Sequence, residues 1–408
     1  SILKYSLKSK SFKIYNYYKI KINANKRPVS ENEIIHNIEQ LLIDSVRLRM
    51  RSDVNVGTFL SGGIDSSLIT MLAQKSSTKR LSTYSLIYND NVYNKESDKS
   101  FSRLIAKELG TDHNEVILTY DDYMEELPNI VAHHAQPNCA VLSNWFISKS
   151  MSKKIKVALS GDGADELFGS YFLHRVLAEK ERINSKIKGS ILEKLNSKEK
   201  EFIQATDGSS LQEIIDAFTI FTPIDRSRLF KNSTFNESII ARTNSLLSEN
   251  SDTELLNRML QFDCKNLLVT QILNYTDLLS MAHSLEVRVP FLDFRLVDYS
   301  FSIQSRLKLK NGISKYILKQ VCKKYLPIEL VNRKKEGFIE PNIFWLKNHY
   351  KIECQSVLLG EKFDRFGIFN LPYIYDLVDQ FYTDGDYFVG KKIWCLFLFG
   401  LWEHTLDC

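Results

Sequence analysis

Two short loops in the sequence combine glycine, serine and carboxylate residues in a pattern that suits phosphate binding. The first loop, residues 61–67, reads SGGIDSS, and the second, residues 160–166, reads SGDGADE. Glycines let a backbone approach a phosphate closely and adopt positive φ. Each loop follows a short apolar run, so backbone N–H groups and the N-terminus of a following helix would point at one bound anion. The spacing therefore predicts a phosphate site, most strongly at residues 61–67.

Asp65 is the unexpected member of the first loop. A carboxylate beside phosphate groups is repelled by them unless a divalent cation lies between, so Asp65 predicts a Mg²⁺ ion shared with phosphate oxygens. The loop lacks the Gly-Lys-Ser/Thr ending of a Walker A loop, and two glycines do not make a dinucleotide-binding fingerprint. A double glycine alone would indicate only a tight turn. The full pattern between a strand and a helix favours binding of the pyrophosphate of ATP.

The second loop brings three carboxylates, Asp162, Asp165 and Glu166, directly after an apolar run. One interpretation is a solvated acidic helix start, favoured by the helix dipole. The other is a second metal-binding or substrate-orienting cluster, which the position after a buried strand favours.

The elements around these loops alternate in type. Apolar runs predict strands at 54–60, 81–87, 116–118 and 156–159, with helices at 68–74, 102–109 and 146–152 between them. Such alternation predicts an α/β fold with a parallel sheet and flanking helices, and ligands bind past the carboxyl ends of its strands. Both loops fall on that edge. Residues 176–405 are predicted to be mainly helical.

Composition narrows the class of protein. The chain has 408 residues, 54 basic against 49 acidic side chains, and six scattered cysteines without metal-ligand or redox spacing. The mild net charge of +5 does not predict a nucleic-acid surface. No apolar stretch is long enough for a membrane span, and no signal peptide is visible. We therefore expect a cytoplasmic enzyme with free thiols, no nucleic-acid partner and no membrane partner.

Four segments together resemble the asparagine synthetase family, in family order over about residues 31–402. Residues 61–67 match its Ser-Gly-Gly-x-Asp-Ser-Ser loop, and residues 160–171 match its second loop, with Ser170 in place of a glycine. Residues 280–293, reading SMAHSLEVRVPFLD, and residues 333–338, reading RKKEGF, are the other two matches. The resemblance implies an adenine nucleotide alpha hydrolase-like core. It also implies ATP-dependent conversion of a carboxylate to an acyl-adenylate, which an amine then attacks.

The resemblance assigns roles to individual residues. Asp162 is implied to orient the substrate, Lys335 to bind pyrophosphate during catalysis, and Asp65 and Asp165 to hold Mg²⁺. The nucleotide is implied to contact a larger set, comprising Leu60, Ser61, Gly62, Gly63, Asp65, Ser66, Ser67, Leu86, Ser160 and Gly161. Outside this set, Glu286, Arg288 and Asp293 are predicted to form a structural ion-pair network. The histidines at positions 133, 134 and 283 show no zinc spacing.

Two departures from the family pattern affect the prediction. Leu278 follows Asp277 where the family often has arginine. Glutamine-dependent members begin with a glutaminase domain whose nucleophile is an N-terminal cysteine, whereas the first cysteine here is Cys139. We interpret residues 1–29 as the remnant of such a domain plus a linker, with a strand at 11–22. Residues 30–405 would be the synthetase domain, comprising a nucleotide-binding core at 30–175 and a mainly helical part at 176–405.

Several functions are compatible with these residues. The first is asparagine synthesis from aspartate, ATP and ammonia from glutamine, with a glutaminase domain or subunit as a possible partner and possible homodimerisation. Amidation of a surface-polysaccharide sugar acid, or intramolecular cyclisation of the β-lactam or lasso-peptide type, would use the same fold. A catalytically silent partner subunit would predict damaged loop residues, and a tRNA-modifying relative would predict paired cysteines or a basic appendage. The loop residues are intact, and the sequence has neither paired cysteines nor a basic appendage.

Overall fold

The computed structural model of the chain describes residues 1–23, 29–89, 96–137, 141–184, 208–232, 234–248, 253–333 and 340–406. Within these ranges a five-stranded parallel sheet is surrounded by helices, and the second half of the chain is almost entirely helical. The predicted α/β fold with a helical C-terminal half is therefore confirmed.

The parallel sheet carries both glycine loops. Its strand order is β5-β4-β3-β6-β7, and the five strands are β3 (Val56–Phe59), β4 (Ser82–Tyr88), β5 (Asp112–Leu118), β6 (Val157–Leu159) and β7 (Glu286–Arg288). Because Thr58 of β3 pairs with Leu159 of β6 in parallel register, the two strands end side by side. Their following loops therefore meet at one edge of the sheet, as predicted. The short strand β7 is not predicted from the sequence, since three residues carry no periodicity.

An antiparallel hairpin precedes the sheet. It comprises β1 (Ile2–Ser6) and β2 (Ser11–Tyr15). The strand predicted at 11–22 is therefore wrong beyond Tyr15. Residues beyond this point instead follow the surface of the helical part, where the main-chain N–H of Asn23 donates to the carbonyl oxygen of Phe301 at 3.0 Å.

Twenty α-helices lie in the described ranges. The first seven are α1 (Glu31–Arg49), α2 (Ile64–Lys75), α3 (Glu96–Leu109), α4 (Tyr120–His134), α5 (Asn144–Met151), α6 (Ala164–Phe168) and α7 (Phe172–Asn184). The next seven are α8 (Leu211–Ala217), α9 (Pro223–Leu229), α10 (Thr234–Ser248), α11 (Leu255–Lys265), α12 (Asn274–Met281), α13 (Phe294–Ser300) and α14 (Ser305–Lys308). The last six are α15 (Tyr316–Cys322), α16 (Ile328–Asn332), α17 (Asn342–Asn348), α18 (Lys351–Leu358), α19 (Leu371–Asp384) and α20 (Tyr387–Thr405). A π-helical segment, Leu268–Leu273, runs into α12, and a 3₁₀ turn, Pro290–Leu292, precedes α13.

Helix α1 illustrates how the sequence determines these elements. The Ser30 side chain accepts a hydrogen bond from the N–H of Glu33, which satisfies one of the free N–H groups at the helix start. One face of the helix then buries Ile34, Ile38 and Leu42, which are four residues apart as the helical repeat requires. That face packs against α13 and α15, which belong to the second half of the chain.

Two large hydrophobic clusters hold the molecule together. The first surrounds the bases of both glycine loops and includes Leu60 and Leu159 from the sheet with Phe291 and Ile317 from the helical half. The second is built around the apolar helix α20, which packs against α4, α17 and α19. Among the described residues, no helix is long and apolar enough to cross a membrane.

Candidate active site

The first glycine loop is a compact turn held by its own serines. Ser61 donates its main-chain N–H to the Ser66 hydroxyl at 3.2 Å, and the two hydroxyls lie 3.0 Å apart. The Leu60 N–H donates to the carbonyl oxygen of Tyr84 at 2.7 Å, which fixes the loop to β4. Helix α2 begins at Ile64 with no side-chain cap, so its first N–H groups remain available to an anion at the cavity edge.

Glycine is required at two close approaches in these loops. Gly62 has φ +80°, and a Cβ there would lie 2.1 Å from the carbonyl oxygen of Asp98. A Cβ at Gly161 would lie 2.9 Å from the main-chain nitrogen of Ser66, so the two loops touch through their backbones. Side chains at either position would separate the loops or push α3 away.

The second loop places Asp162 against the helical half of the chain. The Asp162 carboxylate accepts hydrogen bonds from the hydroxyl of Ser160 at 3.0 Å and from the hydroxyl of Thr276 at 3.2 Å. Burial raises the pKa of Asp162, the two hydroxyl donors oppose that rise, and the neighbouring Asp165 and Asp65 add to it. Asp162 is thus a partly buried carboxylate whose charge the protein only partly compensates.

Lys315 lies between the two loops and was not identified from the sequence. Its ammonium group lies 2.6 Å from Asp65 and 2.5 Å from Asp165, and only 3% of its side chain is exposed. Burial lowers the pKa of Lys315, but the two carboxylates outweigh burial and the pKa is raised. Lys315 has φ +53° and immediately precedes α15. No local motif marks this lysine, since its partners are distant in sequence.

The chemistry of this group suits Mg²⁺ and phosphate. Asp65 Oδ1 is buried and has no hydrogen-bond partner among the described residues, while Oδ2 contacts Lys315. Carboxylate oxygens are ligands of the kind that Mg²⁺ takes, and Mg²⁺ in nucleotide sites commonly has one or two carboxylates plus phosphates. In the described part of the chain, no group of three or more His, Cys, Asp or Glu residues could hold a metal alone. Asp65 and Asp165 therefore fit a Mg²⁺ ion that arrives with a phosphate ligand.

Most of the predicted site residues line one cavity of about 1070 Å³. The lining residues that sequence reasoning named are Leu60, Ser61, Gly63, Asp65, Ser66, Leu86, Ser160, Gly161, Asp162 and Asp165. Gly62 and Ser67 are not among the lining residues: Gly62 packs on Asp98, and Ser67 is fully buried on α2. Lys335 lies outside the described residues.

A buried polar network supports the second loop from below. The His174 Nδ1 atom accepts the main-chain N–H groups of Ser170 and Tyr171 at 3.1 and 3.3 Å, so its Nε2–H donates to Asp263 at 2.7 Å. The Tyr171 hydroxyl donates to Glu166, which is almost fully buried. Burial, with Asp165 beside it, raises the pKa of Glu166 to about 7. The network fixes the backbone that carries Ser170, whose hydroxyl donates to Asp165.

The other side of the phosphate loop is held by Arg333. Its guanidinium donates to the Gly62 carbonyl oxygen at 3.1 Å and pairs with Asp98. This places a cation at the cavity wall, immediately before the residues that the structure does not describe.

The predicted structural network is also present, away from the cavity. Arg288 pairs with Glu286 at 2.7 Å and donates to the carbonyl oxygens of Arg49 and Arg51. Asp293 accepts from Arg295 at 2.9 Å. None of these residues lines the cavity. His283 packs edge-on against Trp145 with ring centroids 4.4 Å apart, as a packing residue.

The chain is similar to known proteins over most of its length. The chain matches the family model described as asparagine synthase over residues 37–404. It is 32% identical over 403 residues to asparagine synthetase (glutamine-hydrolyzing) 1 of Bacillus subtilis, covering 96% of this chain and 62% of that protein. It is 27% identical over 385 residues to a putative asparagine synthetase (glutamine-hydrolyzing) of Mycobacterium tuberculosis, covering 90% of this chain and 58% of that protein.

A more distant relative carries a different name. The chain is 24% identical over 409 residues to amidase chyE of Penicillium rubens, covering 88% of this chain and 60% of that protein. The chain thus spans about three fifths of the length of each of these relatives.

Proposed function

The chain belongs to the asparagine synthase family, and we propose on that basis that it joins a carboxylate to an amine through an acyl-adenylate, with ATP converted to AMP and pyrophosphate. The observation that carries the proposal is the meeting of Lys315, Asp65 and Asp165 at the ends of two adjacent parallel strands. A buried cation between two carboxylates beside an open helix N-terminus suits a leaving pyrophosphate.

Within this site, ATP would lie across both loops. The adenine would lie near Leu60 and Leu86, with main-chain contacts from Ser160 and Gly161. The β- and γ-phosphates would be bound by N–H groups of residues 61–67 and by the hydroxyls of Ser61 and Ser66. Gly62 and Ser67 would act through the loop backbone and helix packing. Breaking the bond between the α- and β-phosphates would leave pyrophosphate against Lys315.

Asp65 and Asp165 would hold Mg²⁺ together with phosphate oxygens. The ion would neutralise phosphate charge and favour departure of pyrophosphate. Lys315 lies on the same two carboxylates and would bind the phosphates from the opposite side. Lys335 is proposed as a second cation for pyrophosphate on the strength of the family resemblance.

Asp162 would act at the acceptor rather than at the phosphates. Its carboxylate is held by Ser160 and Thr276 beside the cavity, and its raised pKa makes it a stronger base than an ordinary aspartate. In the amination step the lone pair of neutral ammonia would attack the acyl carbon, AMP would leave with its oxygen, and the positively charged nitrogen of the adduct would lose a proton. Asp162 would orient the reacting carboxylate and receive that proton.

The substrates that we propose are aspartate, ATP and ammonia derived from glutamine, giving asparagine, AMP and pyrophosphate. The names of the bacterial relatives support this choice. A glutaminase domain or subunit would supply the ammonia, and the reaction would take place in the cytoplasm. A homodimer is a further proposal from the family resemblance.

Exchange of radiolabelled pyrophosphate into ATP tests the adenylation step. We expect exchange with aspartate in a panel that also contains sugar acids, and formation of asparagine once ammonium is added. The Asp65→Asn variant should lose exchange while its circular dichroism spectrum is unchanged, because a ligand oxygen of Mg²⁺ and a partner of Lys315 would lose its charge. Exchange with a sugar acid but not with aspartate would contradict the proposed substrate. Full activity of Asp65→Asn would show that the Asp65 carboxylate is not needed for adenylation.

A further inference from the structure

A second buried carboxylate lines the cavity away from the phosphate loops. Glu340 is 5% exposed, and its Oε1 atom accepts the main-chain N–H of Ser143 at 2.7 Å. Its Oε2 atom accepts the hydroxyl of Tyr123 at 3.1 Å. Sequence reasoning did not single out this residue, because a lone glutamate before a proline carries no motif.

The charge of Glu340 has no counterpart in the described protein. No lysine, arginine or histidine of the described residues forms an ion pair with it. Two neutral donors compensate a buried carboxylate only in part, and an uncompensated charge in the interior is unfavourable. Burial accordingly raises the pKa of Glu340 to about 7, although Ser143 and Tyr123 oppose the rise. The position would therefore be favourable for a cation entering from the cavity.

Two hydroxyl groups lie beside Glu340. Tyr88 and Ser143 are 7% and 1% exposed, and among the described residues neither hydroxyl oxygen has a partner in good hydrogen-bond geometry. The Ser143 hydroxyl lies near both the Glu340 carboxylate and the Tyr88 hydroxyl, and both residues line the same cavity as Glu340. Buried hydroxyl groups are usually hydrogen-bonded, so these two oxygens would be suited to accept hydrogen bonds from a donor in the cavity. One carboxylate and two hydroxyl oxygens match the three N–H donors of a primary ammonium group.

This cluster is connected to the proposed reacting centre. Asn144 follows Ser143 in the chain, and its side-chain amide donates to the Thr276 hydroxyl at 3.4 Å. Thr276 in turn donates to Asp162 at 3.2 Å. Asp162 and Glu340 therefore line one cavity and are linked through the start of helix α5.

We propose that Glu340, with the hydroxyl oxygens of Tyr88 and Ser143, binds a primary ammonium group in the acceptor part of the cavity. This inference rests on the proposed function and extends it to the chemical class of the acceptor or nucleophile. The ammonium group has two possible sources: the α-ammonium of an amino-acid acceptor, or ammonium that supplies the new nitrogen. If Glu340 only capped helix α5, replacing it would leave the binding of the amino-acid acceptor and of ammonium unchanged.

The test uses Glu340→Gln beside a matched control, Glu403→Gln. Glu403 is 1% exposed and accepts the main-chain N–H groups of Asp364 and Arg365 at 2.9 and 3.1 Å, but it does not line the cavity. Both variants replace a buried, N–H-bonded carboxylate by its neutral isostere. The measurements are the KM values for ATP and aspartate in pyrophosphate exchange, the KM for ammonium in amide formation, and exchange with succinate, which is aspartate without its amine.

The two sources predict different results. If Glu340 binds the α-ammonium, Glu340→Gln should raise the KM for aspartate about tenfold or more, since a charge-assisted hydrogen bond is lost. It should also remove the preference for aspartate over succinate, with the KM for ATP unchanged. If Glu340 binds the nucleophile, only the KM for ammonium should rise. Unchanged KM values for both, relative to Glu403→Gln, would overturn the inference.

A binding measurement separates this inference from the proposed function. The wild type should melt at a higher temperature in methylammonium chloride than in sodium chloride at equal concentration, and Glu340→Gln should lose that difference. Absence of pyrophosphate exchange with every carboxylate would reject the proposed function, whereas an unchanged methylammonium response in Glu340→Gln would reject the ammonium site.

Discussion

Lys315 lies at the centre of the phosphate end of the cavity. It contacts Asp65 from the first loop and Asp165 from the second, so it joins the two motifs that the sequence makes conspicuous. A buried lysine that is doubly paired remains charged at neutral pH. Such a group can stabilise the negative charge that develops on departing pyrophosphate.

The Lys315→Met variant should therefore lose pyrophosphate exchange. We expect a fall of about 10²-fold or more, because removing one preorganised charge from a reacting centre has that order of effect. Lys310→Met is the matched control, since Lys310 is a partly exposed lysine five residues away that pairs with Glu31 at 2.8 Å and does not line the cavity. Equal activity of the two variants would contradict a role for Lys315 at the phosphates.

For single residues, the sequence identifies the two glycine loops better than it identifies the side chains that contact them. Asp162, Asp65 and Asp165 are predictable because glycine and serine surround them in short motifs. Lys315 and Glu340 cannot be predicted in this way, since each meets its partners only through the tertiary fold. Their significance comes from burial and from neighbouring charge, which local sequence does not encode.

The elements of the sheet position the loops through close backbone contacts. Helix α3 approaches the first loop so closely that the Asp98 carbonyl oxygen faces the Cα of Gly62. Arg333, at the end of α16, binds both the Gly62 carbonyl oxygen and Asp98. The shape of the phosphate loop therefore depends on contacts with two helices as well as on its own residues.

The Gly62→Ala variant should distort the loop and weaken ATP binding strongly. The added Cβ combines positive φ with a contact of 2.1 Å to a backbone oxygen, which no side-chain movement can relieve. Gly110→Ala provides the control, since Gly110 has φ +63° and no atom lies within 4 Å of the point that its Cβ would occupy. It should cost about 1 kcal/mol of stability through backbone strain alone and leave the KM for ATP unchanged. A normal KM for ATP in Gly62→Ala would show that the loop tolerates the displacement.

Helix α14 ends in a lysine without a hydrogen-bonding partner. Lys308 is fully buried, its ammonium group has no hydrogen bond among the described residues, and it lies 4.6 Å from the ring centroid of Phe301. Burial lowers its pKa to about 7 from an ordinary value of 10.5, and nearby Cys264 and Glu254 oppose this only weakly. The folded state therefore favours the neutral amine.

The Lys308→Met variant should be more stable than the wild type at pH 7, by on the order of 2 kcal/mol. Because the folded pKa is lowered, the stability of the wild type falls as pH decreases from about 10.5 towards about 7. The advantage of Lys308→Met should therefore be small at pH 10 and larger at pH 7. Urea unfolding of both proteins at the two pH values measures this difference. An advantage that is independent of pH would show that Lys308 is not a titrating buried amine.

The types of the main elements are predictable from the sequence, but their edges and the shortest members are not. The strands β3 and β6 can be recognised because an apolar run is followed closely by glycines, whereas β4 can be recognised from its apolar run alone. Helix α4 escapes prediction because it contains Pro128, although Thr119 and Asp122 form a capping box at its start. Strand β7 exists because it completes the sheet beside β6, which is a tertiary requirement.

At the scale of the whole molecule, the two predicted parts of the synthetase region share one core. The first hydrophobic cluster takes residues from both the nucleotide-binding part and the helical part, for example Leu159 and Ile317. The cavity likewise has walls from both, with Asp65 on one side and Lys315 on the other. The division at about residue 175 therefore separates two parts that differ in their sequence patterns. The site itself needs residues from both parts.

The hairpin at the start of the chain contributes no residue to this core, and its apolar side chains are exposed. Leu3, Tyr5, Phe12 and Ile14 lie on one face of the hairpin and are all more than half exposed. A two-stranded hairpin is marginally stable by itself. The interpretation of residues 1–29 as the end of a glutaminase domain remains a prediction from family resemblance.

In the proposed reaction the carboxylate of the acceptor attacks the α-phosphorus of ATP. Turnover of aspartate labelled with ¹⁸O in its side-chain carboxylate, with ATP and ammonium, tests this step through mass spectrometry of the products. We predict AMP that carries one ¹⁸O atom from the carboxylate, together with unlabelled pyrophosphate. Formation of ADP with ¹⁸O in inorganic phosphate, or AMP without label, would contradict it.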